Sequence, residues 1–207
     1  MNDHYFSASP DSDLQRVPVD VTAWGHRLTL LSASGVFARG RLDVGTAVLL
    51  RATSGPRGAS QNLLDLGCGY GAIACALAVH SPAATVWGVD VNQRALQLTA
   101  ENAHTLGLVG RLRPCLPEQV PEEVSFDEIW SNPPIRIGKP ALHALLGAWL
   151  ARLTPTGRAL MVVGKNLGAD SLQRWLIGEG HTCRRLASAK GFRVFEVTAA
   201  ASVETSG

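Results

Sequence analysis

The sequence predicts an α/β fold: a mainly parallel sheet with helices on both faces, an antiparallel C-terminal hairpin and a small N-terminal β extension. Three observations predict it. From residue 60 onward, short apolar runs alternate with helical stretches. Turn-forming Gly, Pro, Asp and Asn residues stand directly after the strongest runs, where ligands of such sheets sit. The last two runs, Thr182 to Leu186 and Phe192 to Thr198, are close enough in sequence to pair with each other. At 207 residues the chain suits one well-buried domain.

The elements follow in order. Val17 to Val21 and Arg27 to Leu31 read as β runs joined by Thr22-Ala23-Trp24-Gly25-His26, and a helix is expected from Val44 to Arg51. The turn cluster Ser54-Gly55-Pro56-Arg57-Gly58 divides an N-terminal segment, 1–58, from a core, 59–199, which ends in a polar tail, 200–207. In the core, Asn62 to Leu66 is a strand, Ala72 to Val79 a helix and Thr85 to Val91 a second strand. A helix from Gln93 to Leu106, a short strand from Arg111 to Pro114 and a strand from Phe126 to Ser131 come next. Leu142, Leu145, Leu146, Trp149, Leu150 and Leu153 repeat with helical period. Ala159 to Val163 is an apolar strand, and Asp170 to Ile177 a helix before the final hairpin.

Bulk properties exclude several function classes. A net charge of +2 does not announce a nucleic-acid partner. Arginine outnumbers lysine, which fits phosphate recognition and a GC-rich genome equally. Cys68, Cys75, Cys115 and Cys183 form no C-x-x-C pair and no zinc spacing, so no metal is expected. The polar N-terminus lacks the apolar stretch of a signal peptide and no run reaches membrane-span length, so a cytoplasmic protein is expected.

Two motifs carry chemistry. Asp65-Leu66-Gly67-Cys68-Gly69-Tyr70-Gly71 runs from a strand into a helix, where glycines permit a tight turn and close ligand approach. Asp90, at the end of the next strand, is placed to accept both hydroxyls of a ribose; a helix or loop cap is the plain alternative for either carboxylate. Together they indicate an adenosine-containing cofactor. Asp65, directly before the glycines, would oppose a pyrophosphate but suits the ammonium of a methionine moiety. The G-x-G-x-G spacing also departs from the dinucleotide fingerprint, so S-adenosylmethionine is favoured over NAD. Glu118 could accept from the adenine amino group, a solvated loop glutamate being the alternative.

Asn132-Pro133-Pro134-Ile135 follows the strand from Phe126. Taken alone it marks a loop. After a sheet strand and downstream of a cofactor loop, it offers two acceptors for a planar conjugated amine, the Asn132 side-chain carbonyl and the Pro133 backbone carbonyl. Fixing such an amine favours the pyramidal geometry of attack on a methyl donor.

With Val89-Asp90-Val91-Asn92, Gly191-Phe192-Arg193-Val194-Phe195 and the upstream segment Gly35 to Thr46, these motifs resemble the class I S-adenosylmethionine-dependent methyltransferases. Within that class the chain is similar to RsmC-like rRNA guanine-N2 methyltransferases in their short single-domain form, over residues 15–198. The resemblance implies a Rossmann-like, seven-stranded core. It makes Asp65, Gly67, Cys68, Gly69, Asp90, Val91 and Glu118 cofactor contacts, with Phe37, Asp43, Gly45 and Thr46 walling the cofactor and the mouth of the site. Many family members have aspartate where Glu118 stands. Asn132, Pro133, Pro134 and Ile135 would form the catalytic loop, Asn132 also touching the cofactor.

The fourth motif position is aromatic in adenine and glutamine methyltransferases of the Asn-Pro-Pro type. Isoleucine cannot stack as a π-system, which argues against those substrates. The expected acceptor is guanine N2 in rRNA or a ribosomal subunit, with phosphates held by Arg39, Arg41, Arg136, Lys139 and Arg193. A protein glutamine or a small amine is the rival acceptor; a non-catalytic RNA-binding module of the same fold is the rival outside enzymes. Lys190 could add to the phosphate contacts, and Arg184 and Arg185 are read as solvated charges. Phe192 is read as a core residue, stacking on RNA being its alternative. Trp130, Trp149 and Trp175 are read as packing, and His104, His143 and His181 show no ligand pattern.

Overall fold

The computed structural model describes residues 16–33 and 40–199. In chain order its strands are β1 (Val17–Ala23), β2 (His26–Ser32), β3 (Asn62–Leu66), β4 (Thr85–Val89), β5 (Leu112–Cys115), β6 (Phe126–Ser131), β7 (Leu153–Gly164), β8 (His181–Ala189) and β9 (Phe192–Ala199). Its helices are α1 (Val44–Ala52), α2 (Ala72–His80), α3 (Gln93–Thr105), α4 (Lys139–Leu150) and α5 (Ala169–Gly178). The large sheet has seven strands in the order β5-β4-β3-β6-β7-β9-β8. Its first five strands are parallel, and β9 runs antiparallel to both neighbours. The chain leaves β3 first towards β4 and later returns beside it as β6. The carboxyl ends of β3, β4 and β6 therefore meet at the reversal of strand order, the place where such sheets bind ligands.

Alternation along the strands sorts side chains between two cores. Leu63, Val86, Trp130 and Leu160 face the core that holds α1, α2 and α3. Their neighbours Leu64, Trp87, Ile129 and Met161 face the core of α4 and α5. Helix α2 is apolar all round: Ala72 to Ala78 are all buried, so it needs cover on its outer side as well. The β1–β2 hairpin supplies that cover, since Val19, Val21, Leu28 and Leu30 join the same core. Its turn is two residues long, with Trp24 and Gly25 at φ 49° and 85°, the primed type that matches strand twist. A tryptophan is strained in that conformation. Packing and a hydrogen bond hold it: the Trp24 indole Nε1 donates to the Thr53 carbonyl at 2.9 Å, and its ring meets Trp130 edge-on at 5.2 Å.

Several boundaries differ from expectation, among them the end of β4 at Val89 in place of Val91 and the start of β7 at Leu153 in place of Ala159. The helical period reaches Leu153, yet α4 ends at Leu150 and Leu153 opens β7. Pro155 cannot continue a helix and biases the residue before it to extended backbone. The short strand runs Leu112 to Cys115, one residue later than expected, and lies at the sheet edge, where Pro114 is tolerated. Trp130 and Trp149 are buried as expected, and Trp175 stacks on His143 at 4.0 Å. No helix of the described residues is long and apolar enough to cross a membrane.

The segment before β3 is tied to the sheet by a buried charge that the strand pattern hides. Glu128 is fully buried in β6 and accepts from Arg57 N at 2.7 Å, Ser60 Oγ at 3.2 Å, Trp130 Nε1 at 3.0 Å and Arg158 Nη2 at 3.1 Å. Arg158 also pairs with Glu196 of β9 at 3.1 Å. Removing Glu128 orphans several donors at once. Glu128→Ala should lose about 3–5 kcal/mol of stability, read as a lowered urea midpoint; an unchanged midpoint would contradict this role.

Candidate active site at the carboxyl edge of the sheet

The glycine loop is pinned before it reaches any ligand. Gly67 and Cys68 donate their N–H groups to the Val89 carbonyl at 2.8 and 3.0 Å, joining the ends of β3 and β4. Gly67, Gly69 and Gly71 all have positive φ. At Gly71 the reason for glycine is close packing, since a Cβ would lie 2.9 Å from Thr99. At Gly69 a Cβ would meet nothing within 4 Å, so its backbone faces open space. The Cys68 side chain turns inward, its sulfur 3.7 Å from Thr99 Oγ1, so only its backbone borders that space. Burial first, then Asp65 and Asp90, pushes its thiol well above the ordinary range.

Two carboxylates flank the loop. Asp90 accepts from Gly69 N and from Asn92 N, both at 2.9 Å, which fixes its plane and leaves a lone pair on each oxygen. Beside it Val91 is 80 % exposed, an apolar side chain at the rim. Asp65 is fully buried; its Oδ2 accepts from Ala74 N in the first turn of α2 at 2.9 Å, and its Oδ1 has no partner. Burial pushes its carboxyl up to about 8, with the Ala74 N–H opposing and Asp90 adding to the rise. An orphaned, fully buried carboxylate oxygen is costly unless a cation comes to it. Glu118 is exposed on a one-turn 3-10 segment after β5.

The acceptor loop lies against the cofactor loop. Ser131 Oγ donates to the Leu66 carbonyl at 2.7 Å, locking the end of β6 to the end of β3. Pro134 Cδ is 3.9 Å from where a Cβ on Gly67 would stand. Asn132 Nδ2 donates to Asp43 Oδ1 at 2.7 Å and to Thr46 Oγ1 at 3.1 Å. A carboxylate can only accept, so this end of the amide must be the NH2 and the Asn132 carbonyl must turn the other way. Asp43 also caps α1, accepting from Thr46 N at 3.0 Å. Asp43 and Thr46 therefore hold Asn132, a contact the resemblance did not imply. An aspartate before a helix reads as a cap, but nothing local in the sequence points to its partner beyond β6.

Other expected residues divide. Pro133 is buried, and its carbonyl already accepts from Ile135 N at 2.8 Å, leaving one lone pair. Ile135 is half-buried against the core of α4 and α5. Arg41, Arg136 and Lys139 are exposed. Arg193 differs from expectation: it forms an ion pair with Asp170 and its side chain is 13 % exposed, so its charge is engaged within the fold. Arg184 pairs with Glu196 at 2.8 Å. Phe37 and Arg39 lie outside the described residues. A cavity of about 560 Å³, lined by Trp24, Arg51, Thr53 and His80, is at the opposite end of the helices from this site.

Comparison with known proteins relates the chain to methyltransferases by sequence and fold. The family model for the methyltransferase small domain matches residues 27–196. The chain is 34 % identical over 178 residues to protein YbxB of Bacillus subtilis, covering 83 % of this chain and 86 % of that one. It is 36 % identical over 195 residues to Ribosomal RNA small subunit methyltransferase C of Ectopseudomonas mendocina, covering 91 % of this chain and 56 % of the relative. A T. thermophilus 16S rRNA N2 methyltransferase, RsmC, solved with AdoMet and guanosine, shares the fold at a TM-score of 0.73 and 23 % identity, over 94 % of this chain and 53 % of that one. The chain thus spans about half the length of these RNA methyltransferases.

Asp65 sets a test that needs no ligand. Its raised value means the folded protein holds a proton that the unfolded chain releases near pH 4. The stability this lends is complete below that pH and is lost as pH rises through about 8. Asp65→Asn keeps an acceptor for Ala74 N without the charge. Its melting temperature should exceed that of the parent at pH 7, by the equivalent of about 1–3 kcal/mol. The gap should widen from pH 4 and level off above pH 8, a trend that thermal melts across this range would reveal; a gap independent of pH would refute it.

Proposed function

The chain belongs to the methyltransferase small domain family, and we propose that it methylates the exocyclic N2 of a guanine in small-subunit ribosomal RNA with S-adenosylmethionine as donor. The observation that carries this reading is the forced orientation of Asn132. Its acceptor end faces away from Asp43 and Thr46, at a point where the acceptor loop touches the glycine loop.

The residues fit the cofactor. The unpaired Oδ1 of Asp65 is the partner that a methionine ammonium requires, and a neutral ligand would leave it orphaned. Asp90, oriented by two N–H groups, has lone pairs left for ribose hydroxyls, and Val91 offers an apolar surface beside it. The backbone at Gly67, Cys68 and Gly69 gives close approach. S-adenosylmethionine, when bound, supplies a methyl group already activated by its sulfonium. Asn132 Oδ1 and the remaining lone pair of Pro133 O then hold the two hydrogens of the target amine, which directs its nitrogen lone pair at the donor. Charge building on that nitrogen is stabilised by the same two acceptors.

For the acceptor, support comes from the names of the relatives, from isoleucine at the fourth motif position, and from the exposed cations Arg41, Arg136 and Lys139. A base in a stack must be extruded to reach Asn132, at a few kcal/mol unless the RNA is already open.

Incubation with methyl-labelled S-adenosylmethionine and either rRNA, small ribosomal subunits or total cell protein tests the acceptor. Label should appear in N2-methylguanosine on nucleoside mass spectrometry, whereas label confined to protein would overturn the RNA assignment. Asn132→Ala should bind S-adenosylmethionine within about twofold of the parent and lose about 10²–10³ in turnover. Undiminished turnover would remove Asn132 from the mechanism.

A further inference from the structure

Phe192 opens β9 and pairs with Gly164, the last residue of β7. Alternation puts Phe192 and Val194 on the α1 face of the sheet and Arg193 and Phe195 on the other. Phe192 is therefore on the same face as α1, whose cap Asp43 holds Asn132. The contact is close: a Cβ on Gly45 would lie 2.9 Å from Phe192 Cε1 and 3.0 Å from Asp43 Oδ1. Glycine at this buried position lets the ring lie against the first turn of α1, within two residues of both groups that orient Asn132. Phe192 is not sealed in by this packing; it stays partly exposed at the carboxyl edge.

The strand order separates Phe192 from Asn132 by the end of β7 alone. Two inter-strand spacings put their backbones about 10 Å apart, a gap filled jointly by the Asn132 and Phe192 side chains and a base between them. The motif's own fourth residue, Ile135, packs into the opposite core and has no π face to offer. Tyr70 of the glycine loop is buried, so among the described residues Phe192 is the partly exposed aromatic side chain at this rim.

We infer that Phe192 is the stacking platform of the acceptor pocket, a positioning residue that holds the face of the target base while Asn132 and Pro133 hold its amine. This rests on the nucleobase reading above and sharpens it. A purine, with its larger flat face, gains more from the platform than the small planar amide of a glutamine. Selection of a nucleobase is thereby moved from the catalytic loop to the C-terminal hairpin.

The test compares Phe192→Leu, which keeps apolar volume, with Phe192→Tyr and Phe192→Trp, which keep a π face. The expected result for the leucine variant is a kcat/KM for rRNA lower by about 10- to 100-fold, with S-adenosylmethionine affinity and melting temperature near those of the parent. The tyrosine variant should recover most of the loss. The tryptophan variant should show fluorescence quenching on addition of guanosine that the parent lacks. A leucine variant as active as the parent on RNA would overturn the platform while leaving the RNA activity standing. Absence of RNA methylation by the parent itself would instead overturn the reading beneath it.

Discussion

A side-chain amide presents a donor at one end and an acceptor at the other in nearly the same shape, and only one orientation of Asn132 can receive an amine. The hydrogen bond from Asn132 Nδ2 to Asp43 Oδ1 decides which. Because a carboxylate has no proton to give at neutral pH, the reversed amide would set oxygen against oxygen, a repulsive contact in a half-buried place. Asp43 is at the same time the cap of α1. The start of that helix, the orientation of the amide and the close approach of Phe192 over Gly45 are thus a single arrangement. The segment before the glycine loop belongs to the site as much as the loop does.

Two fully buried carboxylates in neighbouring strands show how function and stability separate. Glu128 accepts from four donors, and its charge is matched by Arg158. Asp65 accepts from one, and its second oxygen has none. Both lie in the same sheet and Leu63, two residues before Asp65, is in register with Glu128, so depth alone does not distinguish them. What differs is the supply of partners. A network completed by the chain makes structure; a carboxylate left incomplete is a demand that a cationic ligand meets, and that ligand then stabilises the fold by mass action. Asp90 next to Asp65 sharpens the demand, since its charge opposes ionisation of Asp65 unless a cation comes to the same corner.

The sequence makes legible what is local. β3 and β6 occupy the expected residues, because each is a short apolar run ended by a turn signal that the fold keeps. The carboxyl-edge placement of Asp65, Asp90 and Asn132 follows from strand alternation alone. Long-range pairing is what local reading misses. No spacing rule joins Asp43 to Asn132 or Arg193 to Asp170, and an exposed-looking arginine two residues into a strand carries no sign that a helix carboxylate will claim it. The helical period running on to Leu153 misled for a related reason: periodicity records which side chains are buried, and Pro155 decides where the backbone must change.

In the proposed reaction, the distance between methyl donor and acceptor is set by the sheet. Asp65 stands near the end of β3 and Asn132 directly follows β6, adjacent parallel strands held in register and tied at their ends by Ser131 Oγ on the Leu66 carbonyl. Loops then supply orientation only, and they do so with little freedom. Two prolines fix φ after Asn132, the first of them buried, and Pro134 rests near Gly67. Transfer to an amine needs reacting atoms aligned within a few tenths of an ångström, and misplacement of about 1 Å can cost two orders of magnitude in rate. A site whose spacing comes from strand pairing keeps that alignment when surface residues vary.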